Sequence, residues 1–389
     1  MKICVLSAFE DSMLRDTGGS VRIYNLLKGL VAQGHTVELI IPKTSEDCKI
    51  IDGVVVRSFN GLLPQKIIQK LSKILGIEKP TSLFFYDPIF IQKAAHIMRK
   101  SDISQFEQQS TGILLAITAK TLKKHVVSDC HDVFQALRAK NTTALRKFLE
   151  TFLEKLFYKV TSKILVVSDS EKQLLLSLGI GKDNITVIPN GVDTKTYTPS
   201  INNTTIRQRY GLLNSRIVVF VGNLQYAPNQ EAVHLISSQI APKTEKAVSN
   251  VKFVIVGRQD RTKYANMHYL GVVDDVAAIL TASDIAIAPL FHGSGTRLKI
   301  LEYFSAGLPV ISTTIGAEGL PVENGVNILI EDDIDKFTQK LIDCLNNKDA
   351  AMKMGKAARD IVVKKYDWNI IITHLNEVYT HLIPPVKNN

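Results

Sequence analysis

Apolar residues along this chain fall in short, β-branched runs separated by longer stretches with helical spacing, an alternation that predicts parallel α/β sheets. In the first half the runs at 3–7, 36–41, 54–59, 125–129, 164–168 and 185–188 read as strands. In the second half the runs are 217–221, 251–256, 267–270, 285–288, 309–313 and 327–330. Helices are expected over 19–33 and 230–240. Between 145 and 157, Leu145, Phe148, Leu149, Phe152, Leu153, Leu156 and Phe157 form one helical face. The segment Ile188-Pro189-Asn190-Gly191-Val192-Asp193 breaks the rhythm, and a polar, Asn/Thr-rich stretch follows to about Ser215. That break divides the chain into two doubly wound domains, 1–190 and 191–365. A last segment, 366–389, holds the single Trp368 and a helical pattern from Tyr366 to Leu382, expected to cross back and brace the first domain. Two such domains face each other across a cleft, and ligands in open α/β sheets bind beyond the carboxyl ends of the strands.

Length and composition agree with this division. A chain of 389 residues exceeds one ordinary core, and 45% hydrophobic with 22% charged residues is a globular balance. No apolar run approaches the roughly 20 residues that cross a bilayer, and the N-terminus lacks the features of a signal peptide. Cys4, Cys48, Cys130 and Cys344 are scattered without a CxxC pair or a His partner at ligand spacing. They read as reduced thiols in a cytoplasmic protein without a structural metal, where the sequon at Asn141 has no meaning. Charge changes the picture more. Of the net +10, residues 1–190 carry +8, which implies either an anionic partner for that half or a generally basic soluble surface. The run 62–79 sets Ile67, Ile68, Leu71, Ile74 and Leu75 against Lys66, Lys70, Lys73 and Lys79. Such a helix lies on anionic lipid or packs on the core with a solvated lysine face. Nucleic acid is not an expected partner, because no aromatic residues interleave a basic stripe.

The densest chemistry is at Pro289-Leu290-Phe291-His292-Gly293-Ser294-Gly295-Thr296-Arg297-Leu298-Lys299-Ile300-Leu301-Glu302. It follows a strand and opens a helix that stops at Gly307. Gly293 and Gly295 let backbone approach a ligand, and the new helix aims unpaired N–H groups at the loop, a combination suited to a phosphate or diphosphate. Lys299 and Glu302, three apart, share a helix face. A cation near a diphosphate, with a carboxylate one turn deeper for ribose hydroxyls, describes a nucleoside-diphosphate site. Arg297, about 200° around the helix from Lys299, either reaches the phosphates or braces the loop. His131 closes a strand in Asp129-Cys130-His131-Asp132, a place where histidines contact ligands; Asp132 either orients its ring or caps the next helix. Thr17-Gly18-Gly19-Ser20 reads as a tight turn capped by Ser20. It lacks the Gly-x-Gly-x-x-Gly fingerprint and a following acidic ribose ligand, which argues against a nicotinamide site. Asp274 and Asp275 read as helix caps rather than metal ligands.

The segment 293–309, with Leu301-Glu302-Tyr303-Phe304-Ser305-Ala306-Gly307-Leu308-Pro309-Val310-Ile311, resembles the donor-site signature of family 4 retaining glycosyltransferases of the GT-B fold. So do the Pro189-Asn190-Gly191-Val192-Asp193 element, the strand and helix start at 166–171, and Phe220-Val221-Gly222-Asn223, in the family's order. The resemblance implies two Rossmann-like domains, the first binding the acceptor and the second the nucleotide sugar. It implies catalytic roles for His131, Lys299 and Ser294. Donor contacts would come from Gly18, Gly19, Gly222, Asn223, Arg258, Val272, Val273, Gly293, Gly295, Thr296, Arg297 and Glu302, with Glu318 near the same cleft. Two departures stand out. The first of the family's two loop glutamates falls on Ser294, and the usual Arg and Lys after Gly222 are absent from Asn223-Leu224-Gln225-Tyr226-Ala227-Pro228-Asn229.

The implied reaction is metal- and cofactor-independent transfer of a hexose from a nucleoside-diphosphate sugar to a hydroxyl of a glycan or lipid-linked acceptor, with retention. The enzyme would act in the cytoplasm or on the inner face of a membrane. The alternatives are a weakened transferase that serves as a sugar-nucleotide-binding scaffold, and a sugar-nucleotide epimerase on the same fold. A phosphorylase would need a pyridoxal lysine, for which there is no motif.

Overall fold

The computed structural model describes all residues except 10–11, 14–16, 44, 63, 76–79, 108–111, 134–143, 200–203, 259–263, 265, 294 and 384–389. Ser294, the sequon at Asn141 and the end of the basic run at Lys79 therefore lie outside the described residues. The chain divides into two compact units, one of Met1–Pro189 with Trp368–Asn389, the other of Asn190–Asp367.

The first unit holds eight strands: β1 (Lys2–Ser7), β2 (Thr36–Pro42), β3 (Asp47–Ile51), β4 (Val54–Phe59), β5 (Ile103–Glu107), β6 (His125–Cys130), β7 (Lys163–Val166) and β8 (Ile185–Val187). They form one sheet in the order β3-β4-β2-β1-β5-β6-β7-β8. All neighbours are parallel except β3, which turns back on β4. Alternate side chains feed two cores. Cys4, Leu6, Phe106 and Val126 face one way with Phe90, Leu115 and Phe157. Ile3, Val5, Val37 and Val127 face the other, against the helix Gly18–Ala32 and the closing helix Trp368–Leu382. Gly29 admits that last helix closely, since a Cβ there would lie 2.0 Å from Ile372 Cδ1. The buried Trp368, Ile371, Ile372, Leu375 and Tyr379 anchor it, each contributing roughly 1.5–3 kcal/mol of burial before the cost of ordering.

The second unit is a parallel six-stranded sheet, β11-β10-β9-β12-β13-β14. Its strands are β9 (Arg216–Val221), β10 (Val251–Val256), β11 (His268–Gly271), β12 (Ile285–Ala288), β13 (Val310–Ser312) and β14 (Leu329–Ile330). Apolar clusters cover both faces, which is why these strands read as continuous hydrophobic runs.

Two strands differ from the pattern expectation. β3 is a short, exposed edge strand, Asp47-Cys48-Lys49-Ile50-Ile51, whose apolar residues do not alternate with polar ones. β5 is wholly buried yet carries Ser104, Gln105 and Glu107, so polarity hid it. The helix expected over 230–240 begins at Ala227, with Pro228 in its first turn, and widens to a π-turn over Ile236–Ile240 just before Pro242. Proline has no N–H to continue the ladder and crowds the carbonyl four residues back.

Candidate active site

In the second unit, β9 is the strand at which the order reverses, with β10 on one side and β12 on the other. The loops after β9 and β12 therefore leave a topological switch point side by side, the usual ligand position in such sheets. The helix Leu298–Ser305 follows the β12 loop, and the side chain of Arg297 at its N-cap position makes no cap bond. Arg297 instead donates Nη1–H to the Gly295 carbonyl at 2.6 Å. That bond braces the loop. A Cβ on Gly293, where φ is +114°, would meet the Arg297 guanidinium at 2.9 Å. Thr296 Oγ1 accepts from Asn190 Nδ2 at 2.5 Å, tying the loop to the start of the unit.

Lys299 reaches across the switch point. Its Nζ donates to Asn229 Oδ1 at 2.8 Å and lies 4.2 Å from the centre of the Phe220 ring. Asn229 in turn donates to the Asn223 carbonyl at 2.8 Å. Gly222 leaves the room for this, because a Cβ there would meet both Asn229 and Lys299 Nζ at 2.9 Å. Burial, and then the positive charge of Arg297, lower the Lys299 pKa to about 7, while Glu302 opposes the shift. Glu302 accepts from the Tyr197 hydroxyl at 3.2 Å. Burial raises its pKa, against the hydrogen bond and Lys299. The β9 and β10 loops are joined by Leu224 N–H to the Arg258 carbonyl at 2.9 Å. Gly257, at φ +132°, must be glycine, for a Cβ would lie 2.2 Å from the Gly222 carbonyl oxygen. Arg258, Val272 and Val273 follow β10 and β11 at the same sheet edge; Arg258 is exposed, Val272 is exposed and Val273 is half-buried. Asp275 caps the next helix through Ala278 N–H at 2.9 Å, as expected. A cavity of about 670 Å³ lined by Gln208, Asn214, Glu245 and Lys252 sits at the amino ends of β9 and β10, the opposite edge.

In the first unit the reversal is at β1, between β2 and β5. Thr17, not Ser20, is the N-cap of the following helix, with Ser20 in the third helical position closing a reciprocal capping box. Gly18 is exposed and Gly19 half-buried. A Cβ on Gly19 would lie 3.2 Å from His131 Nδ1, so glycine brings the backbone onto that ring. His131 Nε2 is 2.9 Å from Glu107 Oε2 and 3.5 Å from Asp129 Oδ2, and Phe9 stacks on the ring with centroids 6.3 Å apart. These neighbours set its orientation. Burial disfavours the imidazolium, but the two carboxylates outweigh it and raise the pKa to about 9. Asp129 is itself held by Arg22, whose Nε and Nη2 reach its two oxygens at 2.9 and 2.7 Å. Although Glu107, Asp129 and His131 offer three donor atoms within 4.8 Å of one another, a guanidinium on both oxygens of Asp129 repels a cation. The cluster is an ion-pair network.

The family model described as "Glycosyltransferase Family 4" matches residues 17–196, and that described as "Glycosyl transferases group 1" matches residues 215–347. Together they span most of the chain. The chain belongs to the group 1, family 4 glycosyltransferases.

As a glycosyltransferase it resembles the Escherichia coli UDP-Gal:alpha-D-GlcNAc-diphosphoundecaprenol alpha-1,3-galactosyltransferase, at 28% identity over 73% of this chain and 76% of the relative. A D-inositol 3-phosphate glycosyltransferase of Corynebacterium aurimucosum is 24% identical over 96% of this chain and 93% of its own. Among solved structures, HepE of Anabaena in complex with UDP aligns with a TM-score of 0.75 at 15% identity, covering 98% of this chain and 100% of that one. Sucrose-phosphate synthase of Thermosynechococcus elongatus aligns at 0.74 and 16%, covering 98% and 99%. This glycosyltransferase thus has the GT-B fold. Glu107, Asp129, Arg22, Asn229 and Tyr197 are site residues that the sequence pattern does not single out. Only Asn229 left a signal, as a polar residue beyond the Gly222-Asn223 turn at the start of a helix.

Proposed function

We propose that this glycosyltransferase transfers a hexose from a nucleoside-diphosphate sugar to a hydroxyl of a glycan or lipid-linked acceptor, with retention of anomeric configuration. The observation that carries the reading is Lys299: among the described residues its half-buried side chain hydrogen-bonds the neutral Asn229 oxygen and lies over the Phe220 face, beside a helix N-terminus that the Arg297 side chain does not cap. An anionic ligand supplies what that arrangement lacks. As the bond to the anomeric carbon breaks, charge grows on the departing diphosphate, and Lys299 with the first-turn N–H groups is in place to stabilise it. No metal is required for that stabilisation. Glu302, one turn deeper, suits the ribose hydroxyls, and Arg258, Val272 and Val273 suit the base. His131, Gly18 and Gly19 meet the transferred sugar from the first unit, which takes the acceptor. Ser294 holds the sugar through an uncharged hydroxyl.

UDP is the first nucleotide to test, since the E. coli relative is named for UDP-Gal and HepE was solved with UDP. The lipid-linked acceptor rests on the same relative and on the basic helix Gln65–Leu75, where Ile67 and Leu71 are exposed between exposed Lys66, Lys70 and Lys73. That face suits an anionic membrane surface. No described helix is long and apolar enough to cross a membrane. The four free cysteines suit the reducing cytoplasm.

The test is a thermal-shift panel of UDP, GDP, ADP and CMP, with and without their sugars, on wild type and Lys299→Ala. A nucleotide at a hundred times its dissociation constant stabilises by about 2.7 kcal/mol. One diphosphate should do so for the wild type and not for the variant; no response to any nucleotide would remove the donor site. The missing cations around Asn223 favour a second reading, a scaffold that binds without turnover. Slow hydrolysis of labelled donor without acceptor marks a transferase, and its absence marks the scaffold. The anomeric configuration of the product, read by NMR, decides retention.

A further inference from the structure

β5 buries Gln105 and Glu107 at 0% exposure, where a polar side chain is costly unless it is hydrogen-bonded. The two join Tyr379 and His131 in a line. Tyr379, on the closing helix and 0% exposed, donates its hydroxyl to Gln105 Oε1. Gln105 Nε2 donates to Glu107 Oε1 at 2.5 Å. Glu107 Oε2 faces His131 Nε2 at 2.9 Å. The far end, His131 Nδ1, is buried and has no hydrogen-bond partner among the described residues. It lies beside the Gly19 backbone.

The direction of each bond follows from the first. Burial, with the nearby charges of Asp129 and Glu107, raises the Tyr379 pKa and keeps its hydroxyl protonated. A phenol donating to the amide oxygen pins the Gln105 side chain, so its NH₂ end turns to Glu107. Burial and the charge of Asp129 raise the Glu107 pKa, against the hydrogen bonds from His131 and Gln105; with both oxygens accepting, Glu107 holds a proton on His131 Nε2. With Nε2–H committed inward, the imidazolium has one N–H left, at Nδ1. The surrounding charges balance this form. Asp129 from β6 and Glu107 from β5 oppose His131 and Arg22, the latter from the helix Gly18–Ala32. Glu171, from the helix Asp169–Ser177, acts on Arg22 from further off.

We propose that Tyr379 and Gln105 are positioning residues for the transfer reaction, which through Glu107 hold His131 as a double donor and present its Nδ1–H to an oxygen of the bound sugar. The proposal rests on the donor-site reading above. It gives the closing helix a task besides packing: Tyr379, 274 residues downstream of its partner Gln105, sets the charge and tilt of the histidine.

The experiment is an NMR titration of His131 in the ligand-free full chain, with labelled histidine and His131→Gln to assign the signal. It is run on wild type, Glu107→Gln and Tyr379→Phe, alongside kcat against pH. In wild type the imidazolium should persist to about pH 9. Glu107→Gln should lower that midpoint by more than one pH unit and Tyr379→Phe by several tenths. The alkaline limb of kcat should move by the same amounts, with KM for the nucleotide sugar changed less than twofold by Tyr379→Phe. If Tyr379→Phe leaves midpoint and limb at wild-type values while lowering the melting temperature, the tyrosine only packs and the proposal fails. Should Glu107→Gln not fold, Tyr379→Phe keeps the ring and decides alone. The titration needs no donor, so a shifted midpoint without transfer from any nucleotide sugar would overturn the function and the role in it, yet leave the bonded line standing.

Discussion

His131 and Lys299 are basic side chains of two different units, each on a loop or helix that follows a parallel strand, each largely withdrawn from water. Their protons are held in opposite ways. For His131 burial works against the charge, but Asp129 and Glu107 outweigh it and raise the pKa to about 9. For Lys299 burial and the Arg297 charge prevail, and the pKa falls to about 7. The cause is the company each keeps: two carboxylates in direct contact against an amide oxygen and an aromatic face. A charge compensated inside the protein is fixed before any ligand arrives. A charge left without a counter-ion is a standing cost that an anionic ligand relieves, and sites of this kind cluster where ligands bind.

The largest difference between the two cations should appear at Arg22, the partner of Asp129. Arg22→Met leaves the buried Asp129 and Glu107 with one cation between them, and removing one partner of a buried pair costs about 3–5 kcal/mol. Lys299→Met removes a cation with no directly bonded carboxylate among the described residues, and should cost the unliganded protein far less. Urea unfolding of both variants decides: equal losses would mean that Lys299 is as fully compensated as Arg22. In the nucleotide panel the order should invert, with the Lys299 variant losing the ligand's stabilisation.

Gly222 sharpens the same point. In Gly222→Ala the new methyl would meet Lys299 Nζ and Asn229 at 2.9 Å. The lysine tip is mobile and can yield, so the expected cost is about 1–3 kcal/mol, taken mostly from nucleotide affinity. Calorimetric titration with the nucleotide found by the panel checks it. An unchanged dissociation constant would show that Lys299 need not stand over Phe220 to bind.

How much of this the sequence disclosed depended on whether the chemistry lay in consecutive residues. The donor loop could be read because Gly293, Gly295, Lys299 and Glu302 follow one another on a single strand-loop-helix unit, where spacing alone fixes geometry. The His131 network could not. Its members come from β5, β6 and two helices, joined by sheet register that pairs Glu107 with Asp129. The strand that supplies Glu107 is hard to read because three of its five buried positions are Ser104, Gln105 and Glu107, leaving only Ile103 and Phe106 apolar. Local rules fail where a strand carries function in its interior. The cap at Thr17 shows the same limit at smaller scale. Thr17 and Ser20 satisfy each other reciprocally, so either residue alone reads as the cap.

The finest test is in pH, where the two residues pull stability in opposite directions. The unfolded chain releases the His131 proton near 6.5 and the folded one near 9. Its contribution is therefore complete below about pH 6.5 and lost as pH rises through 9. The unfolded chain keeps the Lys299 proton to about 10 while the folded one gives it up near 7, so that group's cost fades as pH climbs through the same window. Comparing wild type with His131→Gln and with Lys299→Met between pH 7 and 9 should give slopes of opposite sign, each at most about 1.4 kcal/mol per pH unit. Binding adds a second readout. At pH 8 the nucleotide's phosphates are already ionised, since a terminal phosphate titrates near 6. Proton uptake on binding would therefore come from Lys299 regaining its charge. Calorimetry in two buffers of different ionisation enthalpy should find up to one proton taken up by the wild type. Lys299→Arg, whose guanidinium is charged throughout, should take up none. Uptake that survives in Lys299→Arg would move the titrating group elsewhere and dissolve the contrast between the two cations.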